Sequence, residues 1–243
     1  MEARFDTEEV FGDDYLYFHE KFLAEIADGD SDLIWRLLEL EPGMEVLDVP
    51  CGHGRIANRL AARGVHVTGL DATPRFLDLA RQDAAERGVE VKYVHGDMRR
   101  LGWTGQFDRI VNWFTSFGYF SDEENRQVLA EAHRALRPGG KLLIETEHQA
   151  LVLRMLGDRI VEQDGSWLID HNVYEPLTGR IHTTRIVIRD GKSRTMRLFV
   201  RLLSFPELRE WLLAAGFSRV DGYGRDGQPL NSYSTHMLAV ATR

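Results

Sequence analysis

Short apolar runs alternate with amphipathic segments through the first 147 residues of the chain. The runs that fit buried strands end near residues 49, 70, 94, 113 and 145, and segments between them carry apolar residues three and four positions apart. Strands that alternate with helices in this way predict an α/β fold with a doubly wound, mostly parallel sheet. In such a sheet, ligands bind at the carboxyl ends of the strands.

The segment before the first strand has a helical pattern. Aromatic and aliphatic residues recur at helical spacing over 15–26 and again over 31–40. Asp30 or Ser31 fits the cap position of a second helix, so the pattern predicts two helices. We expect them to form a lid over the strand ends.

The segment after the fifth strand has a different period. Alternating hydrophobicity and intervening turn residues predict three antiparallel strands, over 166–174, 180–190 and 193–203. A helix over 206–215 and strands over 219–223 and 237–242 then complete a seven-stranded sheet. We expect one domain with four parts: a helical lid (1–40), a core (41–148), a β-rich insertion (149–204), and a final helix with strands (205–243).

The turn after the first strand carries the clearest chemical signal. Residues 45–57 read EVLDVPCGHGRIA, in which an apolar strand breaks at Pro50 and passes through Gly52 and Gly54 into a helix. Glycines between a strand and a helix let a ligand approach the backbone, and the helix start directs unpaired N–H groups at it. This arrangement predicts a site for a nucleotide-type cofactor.

Three acids stand at the ends of three successive strands: Asp48, Asp71 and Asp97. A carboxylate at the second strand end can accept hydrogen bonds from both hydroxyls of a ribose. Asp97, with the N–H of Met98, is placed to contact an adenine edge. Any one of them alone fits a surface acid, but together they favour a nucleoside pocket.

Several segments together resemble the motifs of class I S-adenosylmethionine-dependent methyltransferases. They are EVLDVPCGHGRIA, VTGLDATP, HGDMRRL, FDRIVNWF and LRPGGKLLIE, and the match covers residues 41–147. The fold implied is Rossmann-like. The family usually has a glycine where this chain has Pro50, which removes one N–H from the first turn.

The resemblance assigns roles to individual residues. Asp71 would bind the ribose of S-adenosylmethionine and Ala72 would line its adenine, while Asp97 and Met98 would contact the adenine edge. The turn after the first strand would face the methionine part, with Asn112 near its amino group. The full set expected to bind cofactor is Tyr17, Asp48, Cys51, Gly52, Gly54, Arg55, Asp71, Ala72, Asp97, Met98, Asn112 and Trp113.

The methyl acceptor is expected to be a small molecule. The Asp/Asn-Pro-Pro-Tyr sequence of nucleobase amino methyltransferases is absent after the fourth strand, where Asn-Trp-Phe-Thr stands. The aromatic lid resembles that of methyltransferases that tailor antibiotics, including N-methyltransferases of amino sugars and lincosamides. By that resemblance Tyr17 and Phe117 would act at the acceptor. His148, just past the fifth strand, is the candidate base for an alternative O-methyl transfer, and Glu147 and His171 are weaker candidates.

Two other functions stay open at this point. The stretch from Gly52 to Ala57 also satisfies the Gly-x-Gly-x-x-Gly/Ala pattern of dinucleotide oxidoreductases, with Asp71 as the ribose acid. A module that binds the cofactor without turning it over is the third reading.

Composition limits the partners. The net charge is −8, which argues against a broad nucleic-acid surface. There is no long apolar run, so we expect no membrane span, and the lone Cys51 fits a reducing cytoplasm. No Cys/His cluster has metal-ligand spacing, so no metal is expected. The β-rich insertion is a candidate surface for homo-oligomers.

Overall fold

The computed structural model describes residues 7–243, and its centre is a seven-stranded sheet. The strands of this sheet are β1 (Glu45–Asp48), β2 (His66–Asp71), β3 (Val91–His95), β4 (Phe107–Asn112), β5 (Leu136–Glu147), β10 (Arg219–Tyr223) and β11 (His236–Thr242). Their spatial order is β10-β11-β5-β4-β1-β2-β3, with β1 to β5 parallel and β11 antiparallel to β5. The predicted doubly wound, mostly parallel sheet is confirmed.

Seven helices in the described range surround the sheet and its insertion. They are α1 (Thr7–Val10), α2 (Asp13–Leu37), α3 (Ala57–Ala61), α4 (Pro74–Arg87), α5 (Asp122–Ala135), α6 (Gln149–Met155) and α7 (Phe205–Ala214). No helix within residues 7–243 combines the length and the apolar character that a membrane crossing needs. Strand order reverses between β1 and β4, which opens a crevice at the carboxyl ends of these two strands.

The core has one layer on each side of the sheet because successive strand residues point to opposite faces. Leu142 and Leu143 of β5 show this, since the first packs with α5 and α7 and the second packs with α2 and α3. Both side chains are buried. The two layers therefore fix which helices can reach the carboxyl end of the sheet.

The N-terminal segment differs from the prediction, because α2 is one helix of 25 residues and not two. Asp30 does not cap a new helix. Its carboxylate instead accepts from Arg55 and Arg225, and the backbone stays helical through Gly29 and Asp30. Partners distant in sequence thus decided the conformation of this segment.

The insertion forms a second, four-stranded antiparallel sheet. It contains β6 (Arg159–Gln163), β7 (Ser166–Glu175), β8 (Arg180–Arg189) and β9 (Lys192–Arg201), in that spatial order. The predicted hairpin turn at Asp190 and Gly191 is present, with positive φ at both residues. The hydrophobic pattern does not predict β6 and α6, because both are short and carry mixed polar and apolar residues without a clean period.

A row of ion pairs joins α2 to α3. Asp28, Asp30 and Asp32 of α2 face Arg59, Arg55 and Arg63, at 2.5, 2.6 and 2.8 Å respectively. Only the central pair is buried, since the Asp30 side chain is 5% exposed whereas those of Asp28 and Asp32 are 87% and 76% exposed. Because Asp30 also pairs with Arg225, it compensates two guanidinium groups at once.

This difference in burial gives a stability prediction. Asp30→Asn should lower the free energy of unfolding by about 3 kcal/mol, because it leaves buried guanidinium charge without its counter-ion. Chemical denaturation followed by circular dichroism measures it.

Asp28→Asn is the matched control, because it removes the same charge from the exposed end of the same row. It should leave the denaturation midpoint nearly unchanged. Equal losses in the two variants would contradict a special role for the buried pair.

Candidate cofactor site

A cavity of about 1650 Å³ opens at the carboxyl ends of the central strands. Its floor comes from the turns after β1, β2, β3 and β4, and its roof comes from α1 and the first half of α2. The insertion closes one side through residues of β6 to β9. The cavity therefore joins the predicted cofactor turn, the lid and the insertion.

The turn after β1 has the shape that the sequence predicts. Gly52 and Gly54 have φ values of 53° and 81°, in the left-handed region that favours glycine. A Cβ on Gly54 would lie 2.5 Å from the Tyr93 hydroxyl and 2.8 Å from Cβ of Ala80, so α4 packs directly against this turn. Cys51 is buried beside it and its N–H donates to the carbonyl of Leu70.

Asp71 is held by the backbone at the end of β2. One carboxylate oxygen accepts the N–H of Gly52 and the other accepts the N–H of Thr73, each at 2.8 Å. Burial raises the pKa of Asp71 above its usual range, although these N–H donors oppose the shift. The side chain lines the cavity next to Ala72, and each oxygen keeps a lone pair for a ligand hydroxyl.

Asp48 is the most perturbed acid of the site. It is buried at the end of β1, and its Oδ2 atom has no hydrogen-bond partner. Burial raises the pKa of Asp48 to about 7 against the opposing field of Arg55. A buried carboxylate oxygen without a partner on a cavity wall is a site for a ligand donor.

Arg55, Asp97 and Met98 also line the cavity. Arg55 pairs with Asp30 at 2.6 Å, so its contact to a cofactor would be made by an already compensated group. Asp97 accepts a fork of hydrogen bonds from Arg99, which outweighs partial burial and holds the pKa of Asp97 below its usual range. Met98 is buried at the same strand end.

Asn112 and Trp113 are adjacent in the chain, but only Trp113 is part of the cavity wall. The amide Nδ2 of Asn112 donates to the carbonyl of Val49 at 2.8 Å, and the side chain is not part of the cavity wall. Trp113 does line the cavity, and its buried indole N–H has no partner. Asn112 thus stabilises the turn after β1 from beneath.

The three residues predicted to act at the acceptor lie outside the cavity wall. The Tyr17 hydroxyl donates to the carbonyl of Gln163 at 3.0 Å, which docks the lid on the insertion. Phe117 is 1% exposed within the core. Nδ1–H of His148 donates to the carbonyl of Ser234 at 2.7 Å.

Two other residues of α2 line the cavity in place of Tyr17. Tyr15 and His19 line the cavity, one helical turn apart on α2, and their rings stack with centroids 4.7 Å apart. Burial lowers the pKa of His19 to about 4, and its Nδ1–H donates to the carbonyl of Tyr15. The helical spacing shared by Tyr15 and His19 was the available signal, since Tyr17 lies on another face of the helix.

Two further wall residues, His236 and Arg225, come from the last two strands and the loop between them. Nε2 of His236 lies 3.6 Å from the buried carboxylate of Glu145, which also accepts from Arg225 at 3.2 Å. Nothing in the local sequence around these residues marks them, because they reach the cavity through the antiparallel pairing of β11 with β5.

The residues present fit S-adenosylmethionine. Asp48 at the end of β1 has an unpartnered oxygen, which can accept a hydrogen bond from the ammonium of a methionine group. Trp113, just after β4, has an unpartnered N–H, which can donate to the carboxylate of the same group. Asp71 offers acceptors to a ribose at the end of β2. Within residues 7–243, no group of three or more His, Cys, Asp or Glu side chains could hold a metal ion.

Comparisons with known proteins agree with this fit. A family model described as a methyltransferase domain matches residues 46–140. A demethylmenaquinone methyltransferase of Thermus thermophilus is 33% identical over 122 residues, which cover 47% of this chain and 54% of that protein. A ubiquinone biosynthesis O-methyltransferase of Rickettsia felis is 30% identical over 183 residues, covering 70% of this chain and 68% of that protein. The chain thus spans about half the length of the Thermus relative.

Solved structures share the fold at low identity. An S-adenosylmethionine-dependent methyltransferase of Clostridium acetobutylicum superposes with a TM-score of 0.77 at 16% identity, over 92% of this chain and 98% of that chain. CalS10, an amino pentose methyltransferase of Micromonospora echinaspora solved with S-adenosylmethionine bound, gives 0.68 at 22% identity, over 100% of this chain and 99% of that chain.

The chain belongs to the S-adenosylmethionine-dependent methyltransferases, as the Rickettsia relative and the methyltransferase domain match show. This membership overturns the alternative of a dinucleotide oxidoreductase. The Gly-x-Gly-x-x-Ala pattern is real, but it describes a turn that both classes use to bring a nucleotide close to the backbone.

The contacts of Asp71 lead to an affinity prediction. Asp71→Ala should raise the dissociation constant of S-adenosylhomocysteine by about 10- to 150-fold, because a charged hydrogen-bond partner of the ribose contributes about 1.5–3 kcal/mol. Isothermal titration calorimetry measures it. Asp78→Ala, an exposed acid on α4, is the control, and equal affinities in both variants would remove Asp71 from the cofactor site.

The raised pKa of Asp48 leads to a prediction about pH. Its folded-state value of about 7, against 3.8 ordinarily, means that the folded protein binds this proton more tightly than the unfolded chain does. The ionised carboxyl therefore costs the folded state increasing free energy as the pH rises through this interval, by up to ~4 kcal/mol.

Asp48→Asn should remove this cost. Without cofactor, the variant should gain stability relative to the unsubstituted protein between about pH 4 and about pH 7, with a constant difference above that range. Urea denaturation at several pH values measures the difference. A difference that does not change with pH would contradict the raised pKa.

Proposed function

We propose that the protein transfers the methyl group of S-adenosylmethionine to an amine nitrogen of a small molecule. The cofactor supplies a methyl group already activated by positive sulfur. The protein then needs to align the acceptor nitrogen with the methyl carbon and to exclude water.

The size of the cavity supports a small acceptor bound beside the cofactor. Its volume of about 1650 Å³ exceeds the range usual for a pocket that holds one ligand. The roof is tied down at its start, where Asp13 pairs with Arg75 and Asp14 pairs with Arg189 and Arg194. A closed roof favours a compact acceptor over a polymer, in keeping with the acidic net charge.

The state of His19 on α2 and of His53 in the turn after β1 is the observation that supports the choice of nitrogen. A neutral amine attacks without a base, whereas a phenol or an alcohol must lose a proton in the reaction. Burial lowers the pKa of His19 and of His53 to about 4, so both are weak bases. His148, the base expected for O-methyl transfer, bonds Ser234 outside the cavity wall.

The fold of the amino pentose methyltransferase CalS10 extends over the whole of this chain, which is consistent with an acceptor that carries an amine. O-methyl transfer is the second candidate, because the Rickettsia relative is named as an O-methyltransferase. His236 would be the base in that case, as a histidine on the cavity wall with its side chain 29% exposed.

Methyl transfer from isotope-labelled S-adenosylmethionine to a mixed panel tests the proposal. The panel contains desmethyl amino-sugar and lincosamide amines, phenols, carboxylic acids and transfer RNA, and mass spectrometry locates the label. We expect label on a secondary or tertiary amine.

Label on phenols alone would replace the proposal by O-methyl transfer, and label on RNA would overturn the small-molecule acceptor. Cofactor binding with no label on any compound would favour a module that binds the cofactor without turnover. A reaction mixture without protein is the control for chemical methylation by the cofactor itself.

A further inference from the structure

Most charged side chains on the cavity wall already have a partner of opposite charge. Within residues 7–243, seven arginines line the cavity, and all except Arg159 form ion pairs with carboxylates of the same range: Arg55, Arg99, Arg180, Arg185, Arg201 and Arg225. Most carboxylates on the wall are likewise engaged by arginines, backbone N–H groups or a histidine: Asp71, Asp97, Asp122, Glu124, Glu175 and Glu207. Of the exceptions, a half-buried carboxylate needs a donor or a positive charge from a ligand, whereas an exposed one is solvated by water.

Among residues 7–243, three wall carboxylates remain outside this engaged set: Asp48, Glu123 and Glu147. Asp48 lies at the cofactor turn, and its role is accounted for there. Glu123, in the first turn of α5, is exposed to solvent, whereas Glu147, the last residue of β5, is half-buried. Neither glutamate forms a hydrogen bond or an ion pair through its side chain in this part of the chain.

The position of Glu147 separates it from the cofactor half of the cavity. The sheet order places β5 three strands from β2, where Asp71 stands, and hence about 14 Å away at the usual strand spacing. Between them lie β1, which leads into the glycine turn, and β4, which ends beside Trp113. A cofactor with its ribose at Asp71 and its methionine group at this turn leaves the β5 end to the acceptor.

The groups around Glu147 leave its charge uncompensated. His236 stands directly opposite in the antiparallel pairing of β11 with β5, so the two side chains share a face of the sheet, but its Nε2 turns to Glu145. Arg225 is engaged by Asp30 and Glu145. Arg159 of β6 makes no ion pair with Glu147.

We propose that Glu147 contacts the acceptor nitrogen and stabilises the positive charge that develops on it during methyl transfer. This inference rests on the proposed N-methyl transfer and names the residue that makes the site selective for amines. Glu147 would be a catalytic residue, because its carboxylate meets the reacting atom.

The movement of charge during the reaction gives such a group a role. The nitrogen lone pair forms a bond to the methyl carbon while the carbon–sulfur bond breaks, and its electron pair stays on sulfur. Positive charge therefore leaves the sulfonium and appears on nitrogen. A fixed carboxylate beside that nitrogen stabilises the transition state more than the uncharged amine, which is the condition for raising the rate.

The Glu147 carboxylate should also favour amine acceptors over alcohol acceptors. Once an acceptor excludes water from this part of the cavity, an unpaired carboxylate is costly unless the ligand supplies a donor or a positive charge. An amine supplies N–H donors before transfer and a cation afterwards. An ether product supplies neither.

Glu147→Gln tests the inference, with the amine that the labelled panel identifies as the substrate. The change removes the charge at constant size. It should lower kcat/KM for the amine by about 100-fold or more, as for the loss of one group that stabilises developing charge, and leave cofactor affinity unchanged. Glu147→Asp should recover part of the rate because it restores the charge.

Glu123→Gln is the matched control, since it removes the same charge from an unpaired glutamate that is exposed to solvent and needs no ligand to compensate it. It should keep the full rate. A second readout avoids turnover altogether: titration of the methylated amine product into protein saturated with S-adenosylhomocysteine should show binding that Glu147→Gln weakens and Glu123→Gln does not.

Three results would overturn the inference. Equal kinetics and product binding in the two glutamine variants would mean that Glu147 does not meet the acceptor. Equal losses in Glu147→Gln and Arg159→Gln would assign Glu147 to an ion pair with Arg159 formed in solution. Label on oxygen acceptors alone would overturn N-methyl transfer itself, whereas a labelled amine with an unaffected Glu147→Gln variant would overturn only the role of Glu147.

Discussion

The arrangement of this protein depends on one buried carboxylate, that of Asp30. It bonds Arg55 at the cofactor turn and Arg225 in the loop between the last two strands, and Arg225 continues to Glu145 of β5. The lid helix, the cofactor turn and the end of the central sheet are therefore joined by one chain of ion pairs. Since each member is buried or nearly so, each depends on the others for compensation of its charge.

This network also accounts for the electrostatics of the cavity. Arg55 and Arg225 stand on the wall, but their charge is shared with Asp30 and Glu145 instead of being free for ligands. The cavity is thus close to neutral along most of its surface. A neutral wall with few unpaired groups gives those groups a large influence on what binds. Asp48 at the turn after β1 and Glu147 at the end of β5 are two of them.

The lid combines this anchoring with recognition. Its first half presents Tyr15 and His19 to the cavity, while Tyr17 on the opposite face docks on Gln163 of the insertion. One helix therefore both lines the cavity and connects the core to the second sheet. CalS10 superposes over the whole of this chain, so it shares the lid and the insertion as well as the core fold.

Local sequence determined the core of the fold and the cofactor turn. The period of apolar residues, the glycines of the turn and the acids at strand ends are all short-range patterns, and the resemblance to a methyltransferase family rested on them. A turn of this kind has to carry its own glycines, because Tyr93 and Ala80 leave no room for a side chain at Gly54.

Tertiary structure decided what no local pattern encodes. Asp30 looked like a helix cap, yet arginines distant in sequence bind it and keep α2 continuous. Tyr17 carried the family pattern, but the rotation of the helix puts Tyr15 and His19 on the cavity. His236 reached the site through strand pairing with β5. In each case the outcome depended on which partner the long-range packing brought within a few ångströms, and a single sequence does not contain that distance.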